Sequence, residues 1–501
     1  MPPEPGRIRP AVQQQDRDAV AVLLDVQGNA VRLDDPAIVW ARHAPDHGTP
    51  GHATPGLLYI VPIVANVVTM DSGNGNSGRP GGGHAPWPAR RLFPLLATVI
   101  MAAAGMAGTI WGPRFYGKTA WAVPDDLWGT LIAAQRFAHL DLAGLYTSPT
   151  QLVSLPGAAI ILIPALAVIG PAGLQLTVPH AHGAYPSVWL FAGPYQVTIS
   201  AVVLFAADAI AERLGATRPK RFWLAAAGAT ALWSVTVRWG HPEDAVAIGL
   251  LLYAILALAD SKAVRSAWLA GAAVAVQPLV LLAFPLLAAV VEPRRLPGYV
   301  TRAAAPGALL LAAAAAANWT ATVHAVTSQP NYPAINHPTP WIYLAPRIAD
   351  GQVAAGPGRI LAIVAALGCA LVVARRWRAA RPAGRWDGQA LTEFLWWTAV
   401  TLAIRSAFEP VMVAYYLWPP LAVALAAAAR DWSRLLPAGC TVVGLTFFSQ
   451  VPWHDPWAWW TPMVTGLGLT LFFARPRSRK PRPAPQVLPE PGEQLAADGA
   501  P

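Results

Sequence analysis

The stretches "LAGAAVAVQPLVLLAFPLLAAV" (269–290) and "LLLAAAAAANW" (309–319) decide the fold class, because almost nothing in them is charged and neither alternates. Apolar runs of this kind, roughly 18 residues or longer, match the ~30 Å hydrocarbon core of a bilayer at 1.5 Å rise per residue. They recur from Leu92 to Ala474. Only a helix satisfies its own backbone over such a run in lipid. The strands of a membrane barrel would alternate over about ten residues instead. Composition agrees: 55% of the 501 residues are hydrophobic and 12% are charged, against about 25% charged in a soluble globular protein. The expected fold is an all-α polytopic membrane protein with about eleven transmembrane helices, 10–13 as outer bounds for spans of this length.

Candidate spans are 92–111, 152–170, 189–211, 222–239, 244–260, 265–291, 301–320, 358–374, 390–404, 411–429, 435–450 and 458–474. Pro278 sits at the centre of 265–291, which therefore reads as two short helices forming a hairpin. The basic clusters "PARR" (88–91), "EPRR" (292–295), "RRWRAARPAGR" (375–385) and "RPRSRKPR" (475–482) mark the cytoplasmic side. Both termini are then cytoplasmic, and loops 112–151 and 321–357 face outward. One cluster conflicts: counting from Leu92 puts "RPKR" (218–221) outside. Either 152–170 is re-entrant, or 171–188 contributes something hydropathy does not reveal.

Three regions are expected. Residues 1–88 are polar and rich in Pro, Gly and His, including "DSGNGNSGRPGGGH" (71–84), and cannot bury a core. The apolar piece "LLYIVPIVANVV" (57–68) is too short to span, and the cleavage features of a signal peptide are missing. Met70 is accordingly an alternative start. Residues 89–475 form the membrane body, and 476–501 form a disordered cytoplasmic tail. Cys369 and Cys440 both fall within spans and suggest no disulfide framework or metal cluster. The net charge of +10 is placed beside apolar spans. That pattern fits cytoplasmic loops on anionic lipid rather than nucleic acid.

Polar residues near hydrocarbon are costly and tend to mark function. They gather on the side assigned as outer: "VPDDLW" (123–128), "RWGHPEDA" (238–245), "IRSAFEP" (404–410) and "VPWHDPW" (451–457). His324, Tyr332, His337 and Arg347 lie in the long loop. Asp125 and Asp126 read either as solvated loop acids or as bases beside a surface helix, "LWGTLIAAQRFAHLDLAGLY", expected to lie along the interface. His241, Glu243 and Asp244 read as a helix N-terminus, since Pro and acids suit a first turn. They also suit hydrogen bonding to a phosphate-linked donor or a sugar. Arg405 is either an i, i+4 partner of Glu409 or a planar clamp for phosphate. Around His454 and Asp455, tryptophan anchoring at the interface is the stronger reading. No Walker-type loop, HExxH motif or GxSxG elbow occurs, so activation would come from a lipid-linked donor.

The run "DDLWGTLIAAQRFAHLDLAGLYTSP" (125–149), a first outer loop bearing acids, resembles the GT-C superfamily of membrane glycosyltransferases. More narrowly it is similar to the actinobacterial branch that uses polyprenol-phosphate mannose. The hairpin at 269–290 is similar to that branch's short helical hairpin, with Gln277 where the family often has Lys. "IRSAFEPVMVAYYLWPPLAVAL" (404–425) is similar to its late span, in which an Arg and the pair Tyr415 and Tyr416 precede a Pro. The resemblance covers about 90–430.

It implies a GT-C-like fold and transfer of a sugar, mannose in that branch, from a polyprenyl-phosphate donor to a lipid-linked or glycan acceptor. The reaction would take place at the outer face of the plasma membrane. Asp125 or Asp126 would be the general base. Arg405 would hold the donor phosphate, supported by His241 and Glu243, with Asp244, Gln277, Glu409, Tyr415 and Tyr416 lining the substrate. No metal or other cofactor is demanded, because the leaving phosphate already carries its charge. The alternatives are a polytopic transporter or lipid flippase, for which Asp208 and Glu212 would matter, and a GT-C-like protein without activity.

Overall fold

A computed structural model describes residues 86–116, 125–147, 152, 154–172, 176, 188–328, 331, 333, 337–348, 351–380, 386–450 and 455–477. All of them belong to one compact unit, Ser72–Pro501. The expectations for residues 1–85, the Met70 start and the tail beyond 477 fall outside the described residues. Among the described residues the chain is mostly helical. Four helices are long and apolar enough to cross a membrane: Trp189–Arg213, Pro242–Ala259, Pro293–Ala317 and Gly356–Ala379.

The first long helix is α1 (Leu92–Tyr116), followed by α2 (Asp125–Ala138). Next come α3 (Trp189–Ser200), α4 (Val202–Arg213), α5 (Arg218–Trp233) and α6 (Pro242–Ala259). α7 (Ala263–Val276) packs beside α8 (Leu296–Ala317). The remaining long helices are α9 (Gly356–Ala380), α10 (Gly388–Phe408), α11 (Trp418–Ala428), α12 (Trp432–Phe448) and α13 (Pro456–Ala474). Small residues let these helices approach closely, as membrane helices commonly do. A Cβ at Gly249 of α6 would sit 2.7 Å from Val202 Cγ1, and one at Gly271 of α7 would sit 2.6 Å from the Ala303 carbonyl oxygen.

The hairpin expected at Pro278 is present. Gln277 is extended, at φ −144° and ψ 111°, as the residue before a proline prefers. The chain then turns back through a 3₁₀ segment, Pro278–Leu282, and a short helix, Phe284–Ala289. The return lets α8 run parallel to α7, with Ser266 and Tyr299 hydroxyls 3.0 Å apart.

Ion pairs at one end of the bundle account for the conflicting basic cluster. Arg91 at the start of α1 donates to Asp208 at 3.0 Å and to Glu212 at 2.6 Å. Arg221 donates to Asp208 at 2.7 Å and also to the Arg90 carbonyl. "PARR" and "RPKR" therefore share one end. The segment expected at 152–170 is two short helices, Gly157–Ile160 and Ile163–Ile169, joined by a turn. It stays near the other end, where Ser154 Oγ donates to the Val276 carbonyl and Tyr195 Oη to the Ile161 carbonyl at 2.7 Å. It is not a continuous span, and the re-entrant alternative is the one its shape fits.

The surface helix also differs from expectation. α2 stops at Ala138 instead of continuing to Tyr146, because Leu140 has φ +59° and Asp141 caps Gly144 N. Its apolar side is well covered: Leu127, Leu131, Ala133 and Ala134 are fully buried.

Candidate functional site

At the end of the bundle opposite the Arg91 network, α5 loosens into a π turn, Ser234–Arg238. Such turns recur at functional sites. Gly240 then takes φ +70°, a left-handed conformation that costs any other residue more. This reversal aims His241 into the bundle, and Pro242 starts α6 at the first position where proline is tolerated. The acids of the first turn, Glu243 and Asp244, suit the positive end of the helix. Their side chains do not stay at the cap.

His241 lies between two carboxylates. Nδ1 is 2.6 Å from Glu243 Oε1, and Nε2 is 3.0 Å from Asp126 Oδ2. With both ring nitrogens facing acceptors, the doubly protonated imidazolium is the form that satisfies both bonds. Burial opposes the charge on His241, but the Glu243 and Asp126 carboxylates outweigh it and hold the imidazole well above its ordinary range. Burial also pushes the Asp126 carboxyl up, and the hydrogen bond and charge of His241 outweigh that, leaving it below the usual carboxylate range. The charged forms of His241 and Asp126 thus stabilise each other, with Glu243 accepting at the buried end. Asp126 is the reachable end of this chain, with 54% of its side chain exposed against 5% for Glu243.

A second limb continues from His241. Tyr415 stacks on its ring, centroids 3.9 Å apart, and meets Tyr416 edge-on at 4.9 Å. Arg405 places its guanidinium 4.8 Å from the Tyr416 ring centre. Its Nε donates to Glu409 Oε1 at 2.7 Å, the i, i+4 pair expected from sequence. Asp244 accepts from Gln277 Nε2 at 2.6 Å, which fixes the α7 hairpin against α6. Asp126, His241, Glu243, Asp244, Gln277, Arg405, Glu409, Tyr415 and Tyr416 therefore belong to one neighbourhood drawn from separate stretches of chain. The Asp125 side chain lies outside the described residues, as do Tyr332 and His454.

Other expected polar residues serve elsewhere. His337 stacks on Trp459 at 3.7 Å, and Asp455 caps α13 by accepting from Trp457 N and Ala458 N. His324 lies on the helix Trp319–Ser328, and Arg347 forms an isolated bridge with Val353. Asp208 and Glu212 are held in the ion-pair network at the opposite end.

Of two residues that sequence reading overlooked, Arg359 adjoins the site and Gln196 lies level with it along the bundle. Arg359 Nη2 approaches Glu409 Oε1 at 3.6 Å. Gln196 is fully buried, and neither its Nε2 nor its Oε1 has a hydrogen-bond partner. Its height follows from helix register. Gly249 meets Val202, and Asp260 pairs with Arg213 at 3.7 Å. The same offset along these parallel helices sets Gln196 level with Glu243, whose Oε2 is likewise buried and unpartnered. The signal was a lone amide inside an apolar run, costly enough in such a place to mark function. No protein-family model matches the chain, and no curated protein matches it.

Proposed function

We propose that the chain is an integral membrane glycosyltransferase of GT-C-like architecture. It moves a sugar, mannose on the sequence resemblance, from a polyprenyl-phosphate donor to a lipid-linked or glycan hydroxyl. In this reading the chain crosses the plasma membrane an even number of times, about ten to twelve. The Arg91 end and both termini are cytoplasmic. The Asp126 end faces outward.

The convergence of Asp126, His241 and Arg405 with their partners at one end of the bundle supports this reading. An acceptor hydroxyl approaches the exposed flank of Asp126 and gives up its proton to that carboxylate as its oxygen attacks the anomeric carbon. The bond from that carbon to the phosphate oxygen breaks, and the lipid phosphate leaves with the electron pair. Attack opposite the leaving group inverts the centre. Arg405 faces the departing phosphate with donors in a planar fork. His241 keeps Asp126 ionised and oriented, at the cost of some basicity. Asp208 and Glu212 are engaged with arginines, which weighs against a proton-coupled transporter.

The test is transfer of radiolabelled mannose from polyprenyl phosphate in membranes, comparing wild type with Asp126→Asn and Asp125→Asn. General-base loss predicts a fall of about 10²–10⁴ for Asp126→Asn and little change for Asp125→Asn. Undiminished transfer by Asp126→Asn would overturn the base assignment. No transfer by wild type from any lipid-linked sugar would overturn the enzyme reading.

A further inference from the structure

Away from this site, the arginine-rich end of α9 and the first turns of α10 flank a cleft of about 310 Å³. Its size falls at the small end of the roughly 300–1,000 Å³ range of small-molecule sites. It is lined by Val373, Trp377, Ala379, Ala390, Phe394 and Trp397, together with the charged Arg376 and Glu393. The cleft opens beside the lipid-facing side of α9, where Ile360, Val364, Leu367 and Leu371 are 52–65% exposed. Arg376 comes just over one helical turn after Leu371. An arginine at that height stands where acyl chains give way to headgroups.

Its guanidinium lies 5.5 Å from the Trp397 ring centre and pairs with Glu393 only at 3.8 Å. Most of its five donors remain available to a ligand. Arg375 and Arg378 adjoin it on exposed positions of α9, so the margin is net positive despite Glu393. Basic pockets between membrane helices on the cytoplasmic side suit anionic headgroups.

We propose that this cleft is a binding site for one anionic glycerophospholipid, its phosphate on Arg376 and an acyl chain against Val373, Phe394 and Trp397. The inference is independent of the catalytic reading. A generic interfacial belt of Trp and Arg would predict something different. It would treat Arg376 and Arg378 alike, and it would not depend on the shape of the cleft.

The experiment is native mass spectrometry of the full chain in detergent, titrated with phosphatidylglycerol or phosphatidylcholine. Wild type is compared with Arg376→Ala, Arg378→Ala and Ala379→Trp. All three positions are exposed on α9, and Ala379→Trp fills the cleft without changing charge. The expected result is a first phosphatidylglycerol bound about fivefold or more weaker in Arg376→Ala and Ala379→Trp. Arg378→Ala stays within about twofold. Equal losses in the two arginine variants, or phosphatidylcholine binding as well as phosphatidylglycerol in wild type, would overturn the proposal. So would displacement of the bound lipid by glycerol 3-phosphate, which would indicate a site for free phosphate.

Discussion

Replacing Glu243 with Gln removes one charge from the His241 chain and leaves its shape nearly intact. The 2.6 Å contact to His241 Nδ1 is a charge-assisted bond between side chains only 4% and 5% exposed. Such bonds contribute about 1.5–3 kcal/mol, and about 2 kcal/mol is appropriate here because Asp126 remains on Nε2. The sign follows from linkage. His241 is held well above its ordinary value in the folded protein. Its contribution is therefore complete below the unfolded value of about 6.5 and is lost as pH rises through the folded value. At roughly 1 °C per kcal/mol for a chain of this size, from about 2.1 cal/mol/K of unfolding entropy per residue, Glu243→Gln should melt about 2 °C below wild type near pH 6. The gap should shrink toward alkaline pH. It should close once wild-type His241 is neutral, because the charge assistance of its bond to Glu243 is then lost. Intrinsic tryptophan fluorescence during thermal ramps in detergent, from pH 5.5 to 9.5, measures this. A gap independent of pH, or one that widens at alkaline pH, would refute the imidazolium bridge.

Substitutions at two further positions probe the ends of the bundle. Arg405→Ala leaves the buried Glu409 with Arg359 alone, at 3.6 Å, and should cost about 3 kcal/mol of stability, the low end for a broken buried pair, read as a lowered melting temperature. Arg405→Lys should recover much of that stability but little transfer, because an ammonium lacks the planar fork; full recovery of both would remove the phosphate-clamp role. Asp208→Asn takes the charge away from Arg91 and Arg221 together. Arg91 keeps Glu212 at 2.6 Å, so the loss should sit near 3 kcal/mol, the low end for a broken buried pair. A melting temperature unchanged in Asp208→Asn would show that the network contributes nothing to stability.

Sequence carried the chemistry further than the geometry. Hydropathy located the helices because lipid imposes one length and one polarity on any span. Charges expensive to place near hydrocarbon then singled out Asp126, His241, Glu243 and Arg405, which the fold brings into one neighbourhood. Pro278 announced its own hairpin through backbone sterics. What stayed illegible depended on contacts distant in sequence. At Gly157–Ile169 hydropathy alone does not register the break, although Pro164 in the first turn of the second short helix is a local signal of it. The fact that Arg91 and Arg221 share Asp208 is what reveals the shared end. Gln196 was passed over because its importance rests on the register between two parallel helices, fixed by Gly249 against Val202 and Arg213 against Asp260. The end of α2 at Ala138 was missed because Leu140 adopts a positive φ that leucine rarely accepts.

The short antiparallel pairing of β1 (His337–Pro338) with β2 (Val411–Met412) divides the site into unequal mechanical halves. Thr339 donates from its backbone to the Pro410 carbonyl at 3.0 Å and from Oγ1 to the Glu409 carbonyl at 2.6 Å. Trp341 and Trp460 both donate to the Ala407 carbonyl, at 2.8 and 2.9 Å. The backbone around Arg405 and Glu409 is thus splinted from two directions and cannot shift without dragging the 337–341 segment. On the opposite flank, the Asp126 side chain joins the cluster, among the described residues, through His241. The two flanks are held by different forces: hydrogen bonds fix the arginine side, and burial of Leu127 and Leu131 fixes α2 on the Asp126 side.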